Sequence, residues 1–398
     1  VISDRERGHF EMLRAFDQII DPIRAVEERI FGVAVQMDKR HGMRMILRRL
    51  SAWQFLKRSG ALVGTAVVLF LGVTPMGCYL SRAAYEEARI LAKRQPIQQL
   101  VARDATDPVL RAKLALVLQA RQFAIDSLRL KAGESFTAYS QLDRDTLVLV
   151  VNAAYRDRLE RKTWWFPVVG RFPYKGFFDF KEAQATAATL RSEGFDVTVG
   201  PSAAFSTLGW FNDPLVSTTV KTDSVTLANT IFHELLHNTF FAKGSVSFNE
   251  SFASFVGGRA AEHFFRARGD SALLLRAQDD WADDLLLGSF WARTAHEIDS
   301  VFTALPDSAR DARIAARDTV YARARVRLVD SIGPQLRTYP AGWVQKVPLN
   351  NAVLMARRVY ADRLDRFDSV YVANGRDLPK AIQAVIAMHK DSVARAGK

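Results

Sequence analysis

The chain of 398 residues reads as an α+β fold: a small mixed sheet with a helix pair, followed by a mainly α-helical C-terminal part. Three observations predict it. Short apolar runs bounded by turn residues occupy the stretch 147–211, as buried strands do. Two apolar helical patterns follow closely, and each carries polar residues on an otherwise buried face. From Ser271 onward nearly every segment shows helical spacing.

The elements follow in order. Ala83 to Gln95 is helical and stops at Pro96, which cannot continue a helix. Pro108 to Leu130 is a second helix, with Asp107 as its cap and Gly133 beyond its end. Leu147-Val148-Leu149-Val150-Val151 is a β-branched run and reads as a strand. Phe166 to Phe180 contains Pro167, Pro173 and two glycines, which predicts strands and turns. Lys181 to Ser192 is helical, Gly194 stops it, and Phe195 to Val199 is extended. Ser206 to Phe211 reads as an edge leading to a turn at Asn212-Asp213-Pro214. A helix then runs from Thr222-Asp223-Ser224 to Lys243-Gly244, with Gly244 just past its end. Ser247 caps the next one, which continues past Ala260. The C-terminal helices cover 272–304, 308–332, 349–367 and 378–394. There is no internal repeat and no low-complexity segment.

The chemistry sits on the central helix pair. His233-Glu234-Leu235-Leu236-His237 is an H-E-x-x-H pattern, and residues i and i+4 share one helix face, so both imidazoles can reach one metal. Glu234 is placed to take a proton from a water there. The surrounding stretch, Thr230 to Phe241, is strongly apolar. Burying two histidines and a glutamate in it is costly unless they bind something. Glu250 repeats the anomaly among Phe248, Phe252, Ala253, Phe255 and Val256. One shared ion explains both intrusions, against the alternative of a core helix with two hydrogen-bonded histidines. Two imidazoles and a carboxylate leave an open position, as in catalytic zinc sites. Glu262 and His263 compete as third ligands. Glu250 is favoured because Ala253 lets the second helix approach the first. A third histidine of the metzincin kind would fall at position 243, which is Lys243.

The order H-E-x-x-H, then N-E-x-x-A, resembles the gluzincin zinc peptidases. More narrowly, the chain resembles the bacterial putative aminopeptidase family of predicted lipoproteins. The matching segments are Gly77-Cys78-Tyr79, Arg94 to Ile97, Pro173 to Phe178, Ser206 to Leu215, the two zinc motifs and Leu349-Asn350-Asn351-Ala352. The resemblance implies a gluzincin-like core over 79–268, followed by the α-helical part 269–398. It also implies one Zn2+ per chain held by His233, His237 and Glu250, with Glu234 as general base acting on peptide substrates.

Tyr360 and Tyr174 are candidates to donate a hydrogen bond to the oxyanion. Thr207, Leu208, Gly209 and Trp210 are the candidate strand edge for holding a peptide by main-chain hydrogen bonds; the alternative is that Trp210 packs the sheet. Asn249 either binds substrate or caps its helix. Asp213 and Glu262 are the candidates for a substrate ammonium. Two other functions stay open on the residues alone: hydrolysis of a non-peptide amide or cell-wall linkage, and a non-catalytic metal-binding lipoprotein.

A formal net charge of +12 suits anionic partners. No nucleic-acid motif accompanies it and the basic residues are interspersed with acids, so it reads as a solvated surface plus a basic membrane-proximal segment; the expected partners are a membrane and, from the resemblance, a peptide. Ala61 to Leu80 is the one long apolar stretch, preceded by Arg44, Arg48, Arg49, Lys57 and Arg58. Residues 1–60 therefore form a basic cytoplasmic segment, and 61–78 a signal ending at Cys78. Cys78, the single cysteine, is the expected lipidation site. Pro75 and Met76 depart from the usual pattern before such a cysteine, and an uncleaved anchor is the alternative. Either way the remainder lies outside the cytoplasm, in the periplasmic cell envelope. Met43 or Met45 would start a signal of ordinary length, which leaves 1–42 as an extra or untranslated segment.

Overall fold

The computed structural model describes residues 73–146, 148–166, 170–201 and 214–396. The predicted edge Thr207, Leu208, Gly209 and Trp210, the candidate Asp213, the basic segment and most of the apolar stretch lie outside them. Contacts divide the chain between Tyr85 and Glu86, and the candidate site belongs to the unit from Glu86 onward. No helix among the described residues is long and apolar enough to cross a membrane.

The fold is α+β with three small sheets. Helix α1 (Pro75–Ala92) leads to β1 (Gln95–Pro96) and α2 (Ile97–Ala102). Helix α3 (Pro108–Asp126) has Pro at its first position, and the Asp107 carboxylate accepts from the Leu110 amide. Strand β2 (Ala138–Ser140) pairs antiparallel with β1 and parallel with β8 (Leu215–Val216). A second sheet has β3 (Leu149–Ala154) at its centre, antiparallel to β6 (Tyr174–Phe177) on one side and β7 (Asp196–Pro201) on the other. Strands β4 (Trp164–Phe166) and β5 (Gly170–Phe172) form a separate ribbon. Among the described residues the small mixed sheet expected from sequence is therefore split, and of the three sheets there only β1-β2-β8 is mixed. Helix α4 (Phe180–Ser192), capped by Asp179, covers the β3 sheet through Ala183, Ala187 and Leu190.

After the short α5 (Ser217–Val220) come the two central helices, α6 (Ser224–Thr239) and α7 (Val246–Ala267). Asp223 starts α6 by accepting from the Val225 and Thr226 amides. The pattern predicted a helix through Lys243, but α6 stops at Thr239, with Phe240 extended. The turn that follows explains this: the Asn249 side chain accepts from the Ala242 amide and donates to the Ala242 carbonyl, both at 2.8 Å. Ser247 lies inside α7 rather than at its cap. A six-residue connection makes the pair an antiparallel hairpin.

Close approach of these helices depends on glycine. A Cβ at Gly257 would sit 2.2 Å from Asn229 Oδ1 on α6, and one at Gly258 would sit 2.6 Å from the Trp281 ring on α8 (Ser271–Ala304). Ala253, fully buried, serves the same face one turn earlier. Phe232, Phe252, Phe255 and Phe265 fill the main core around the hairpin.

The C-terminal helices close over this core. Helix α9 (Arg310–Arg327) runs through a π turn to Ile332, and α10 (Trp343–Lys346) is a single turn. The helix expected over 349–367 is broken in two, α11 (Asn351–Ala361) and α12 (Leu364–Ala373), because Arg363 adopts a left-handed φ of 57°. Helix α13 (Leu378–Ala396) ends the described chain. Asn350 caps α11, accepting from the Val353 amide. Asn351 is fully buried; its amide donates to Asp196 on β7, its side chain donates to the Tyr155 carbonyl, and it accepts from the Tyr321 hydroxyl. The Leu349-Asn350-Asn351-Ala352 segment therefore fixes α11 to the sheet.

Candidate metal centre

His233 and His237 stand one turn apart on α6, and Glu250 faces them from the second turn of α7. Asn249, its neighbour, holds the connecting turn and thereby sets the register between the two helices. The histidine Nε2 atoms are 3.3 Å apart. Glu250 Oε2 lies 3.3 Å from His233 Nε2, and Oε1 lies 3.6 Å from His237 Nε2.

These distances test whether a metal fits. Zinc bonds of about 2.0–2.2 Å in a tetrahedron place neighbouring ligand atoms roughly 3.3–3.6 Å apart. The three observed edges match that triangle. Hydrogen bonding alone serves the set poorly, because two imidazole nitrogens converge on each other as well as on the carboxylate. A cation at the centre satisfies all three. Among the described residues, this is the group of three ligand types whose atoms come within 4.8 Å of one another. His237 Nδ1 is buried and has no hydrogen-bond partner among the described residues, where a carboxylate or carbonyl commonly stands behind a ligating imidazole.

Electrostatics follow the geometry. Burial alone would raise the Glu250 carboxyl, but hydrogen bonds from His233 and His237 outweigh it and hold the group at about 2. For His237, burial opposes protonation, and the hydrogen bond and charge of Glu250, with Glu234 adding, raise it instead. Glu234 acts electrostatically on both His237 and Tyr360, so it belongs to the same opening.

Aromatic rings flank the histidines. Tyr360 on α11 lies 6.4 Å from the His233 ring, the two histidine rings are 4.9 Å apart, and Phe241 lies 6.4 Å from the His237 ring. The outer two are 54% and 57% exposed, so the row opens to solvent at both ends. Tyr360 is held above the ordinary phenol range, first by burial around its hydroxyl, then by the negative charge of Glu250. Tyr174 on β6 is raised by burial and then by Glu250 as well. Tyr360 thus lies beside His233, and Tyr174 feels the charge of Glu250.

Other candidates fall elsewhere. Glu262 is buried in an ion pair with Arg259 at 2.7 Å, and His263 bonds the Tyr371 hydroxyl at 2.7 Å. Neither joins the triad. The substrate contact expected of Asn249 is replaced by its work in the turn, since both halves of its amide are engaged. Phe241 and Ser251 were not singled out in the sequence. Phe241 looked like one more core aromatic, and its only signal was its place one turn after His237.

The arrangement defines a class: an α+β protein with two histidines and one carboxylate converging from a helix hairpin, and a glutamate beside them. A family model described as "Putative aminopeptidase" matches residues 78–397, and the chain belongs to that family. Searches of curated proteins and of solved structures gave no match.

Proposed function

We propose that the protein is a zinc-dependent metallopeptidase of the gluzincin kind, an aminopeptidase in keeping with its family. The triangle of His233, His237 and Glu250 carries this reading, because its edges suit zinc and leave one side open. Zinc in such a site supplies a Lewis acid and lowers the pKa of water toward about 7.

The chain's own residues do the rest. Glu234 takes a proton from the attacking water and returns it to the leaving amine. Tyr360 stays protonated well above neutral pH, which suits a donor to the oxygen that gains charge at the scissile carbonyl. Tyr174 stands ready for the same task or for orienting Tyr360. The exposed faces of Phe241 and Tyr360 offer apolar surface on either side of the histidines for peptide side chains. The Thr207-Leu208-Gly209-Trp210 stretch is our candidate for main-chain pairing with the peptide. For localisation, we propose that Cys78, exposed on α1, carries a lipid that holds the domain at the membrane in the cell envelope.

The test is a mixed peptide library incubated with the zinc-loaded protein and read by mass spectrometry, beside Glu234→Gln. Peptides shortened from free N-termini are expected, with turnover lower by about 10²–10⁴ in the variant at unchanged zinc content. Intact peptides with the wild-type protein overturn the peptidase reading; full activity in Glu234→Gln overturns the role of Glu234.

A further inference from the structure

Ser251 directly follows Glu250 on α7, and its side chain is fully buried. Its hydroxyl makes two hydrogen bonds, both to the far end of α11. It donates to the Val359 carbonyl and accepts from the Asp362 amide, each at 2.9 Å. Those two backbone groups bracket Tyr360.

Helix geometry shows what this contact replaces. In an uninterrupted α-helix the Val359 carbonyl would accept from the amide of residue 363, and the Asp362 amide would donate to the carbonyl of residue 358. Here α11 ends at Ala361, Asp362 is extended, and Arg363 turns left-handed. The serine hydroxyl takes the place of the residue-363 amide at the Val359 carbonyl and gives the Asp362 amide an acceptor. The last turn of a helix otherwise frays, since its carbonyls lack partners. Tyr360 sits in that turn and is more than half exposed.

The other end of α11 is anchored independently. Asn351 bonds Asp196 there, and the Arg161 guanidinium donates to the Met355 carbonyl. Those contacts lie one or more turns from Tyr360. Among the hydrogen bonds of the described residues, the Ser251 bridge joins the turn that carries the tyrosine to the position next to Glu250.

We propose that Ser251 is a positioning residue for Tyr360, tying the phenol to the metal centre through the backbone on either side of it. This rests on the reading that Tyr360 donates to the reacting oxygen. A hydrogen-bond donor must lie within a few tenths of an ångström of its place to act on a developing charge, and misplacement by about 1 Å can cost on the order of 100-fold.

The experiment uses the full chain as wild type, Ser251→Ala, Tyr360→Phe and the double variant. Each is labelled with 3-fluorotyrosine, and the Tyr360 signal is assigned by its loss in Tyr360→Phe. Zinc content, kcat, KM and the 19F spectrum are measured on all four. We expect Ser251→Ala to bind zinc normally, to lose on the order of 10-fold in kcat with KM little changed, and to move or broaden the Tyr360 resonance alone. In the Tyr360→Phe background the same substitution should cost nothing further in kcat, because the two residues act as one unit. An unmoved Tyr360 resonance overturns the proposal, as does an equal loss in both backgrounds. If no variant turns over peptide, the peptidase reading fails while the 19F spectrum still decides whether Ser251 fixes Tyr360. If Tyr360→Phe is fully active, the donor role of Tyr360 fails and the positioning role for catalysis falls with it.

Discussion

Asn249 and Glu250 are neighbours on α7 with opposite fates. The Asn249 amide bonds both backbone groups of Ala242 and is closed off from solvent, while Glu250 turns its carboxylate to the two histidines. Each depends on the other, because the turn that Asn249 closes sets where Glu250 meets α6. Asn249→Ala leaves a buried N–H and a buried carbonyl without partners. That should destabilise the protein by about 2 kcal/mol and weaken zinc affinity, although Asn249 touches no ligand atom. Denaturant melts and zinc titration check it, and unchanged zinc affinity in a destabilised protein would confine Asn249 to folding. His233, Glu234, His237 and Glu250 were legible in the sequence because ionisable residues on buried helix faces are expensive and need a reason. Asn249 stayed open between substrate and helix cap because an amide beside a ligand looks the same in sequence whether it faces the cleft or the backbone.

At the scale of elements, the hairpin of α6 and α7 is what brings the triad together. Its existence follows from apolar periodicity and the Asp223 cap, both visible in the sequence. Its tightness comes from Gly257, where a side chain would meet Asn229 on α6, including its backbone oxygen at 2.9 Å. Gly257→Ala should push the helices apart, cost about 2 kcal/mol and loosen the proposed metal site. Wild-type zinc affinity in that variant would show that the hairpin adjusts without moving its ligands. Glycines inside a helix carry no sequence signal that separates close packing from tolerance, so this contact could not be read in advance. The break after α11 was missed for a related reason. Asp362 and Arg363 are not helix breakers, and the partner that makes the break stable, Ser251, lies 108 residues from Val359.

Helix α8 shows the same dependence on distant partners. The Asp283 carboxylate accepts from the Arg337 and Thr338 amides and holds the loop before α10. Asp284, beside it, is pushed up to about 7 by burial and by the charges of Asp280 and Asp283, with Arg357 pulling the other way. A carboxyl raised in the folded state is protonated there at acid pH. Its contribution is fully present below the unfolded value near 3.8 and is lost as pH rises through about 7. Asp284→Asn should therefore stabilise the protein by about 2 kcal/mol at pH 8 and change little near pH 4. Urea melts at the two pH values decide it; an equal effect at both would show that Asp284 is ionised throughout.

At the scale of the whole molecule, the proposed lipid at Cys78 is what would hold the domain at a membrane. The family match begins at residue 78, the position of the single cysteine, and everything upstream falls outside it. Cys78 itself is exposed near the beginning of α1, where an attached chain has room. A single acyl chain anchors weakly at about 0.8 kcal/mol per buried methylene, so stable attachment needs the several chains of a lipidated N-terminus. Mass spectrometry of the protein extracted from native membranes should show a mature chain starting at Cys78 with a multiply acylated cysteine. Cys78→Ala should leave the precursor uncleaved and still carrying residues 61–77. Finding an unmodified Cys78 with the upstream segment attached in the wild type would instead make the apolar stretch a permanent anchor. The catalytic unit would then keep the basic segment Arg44 to Arg58 as its cytoplasmic side.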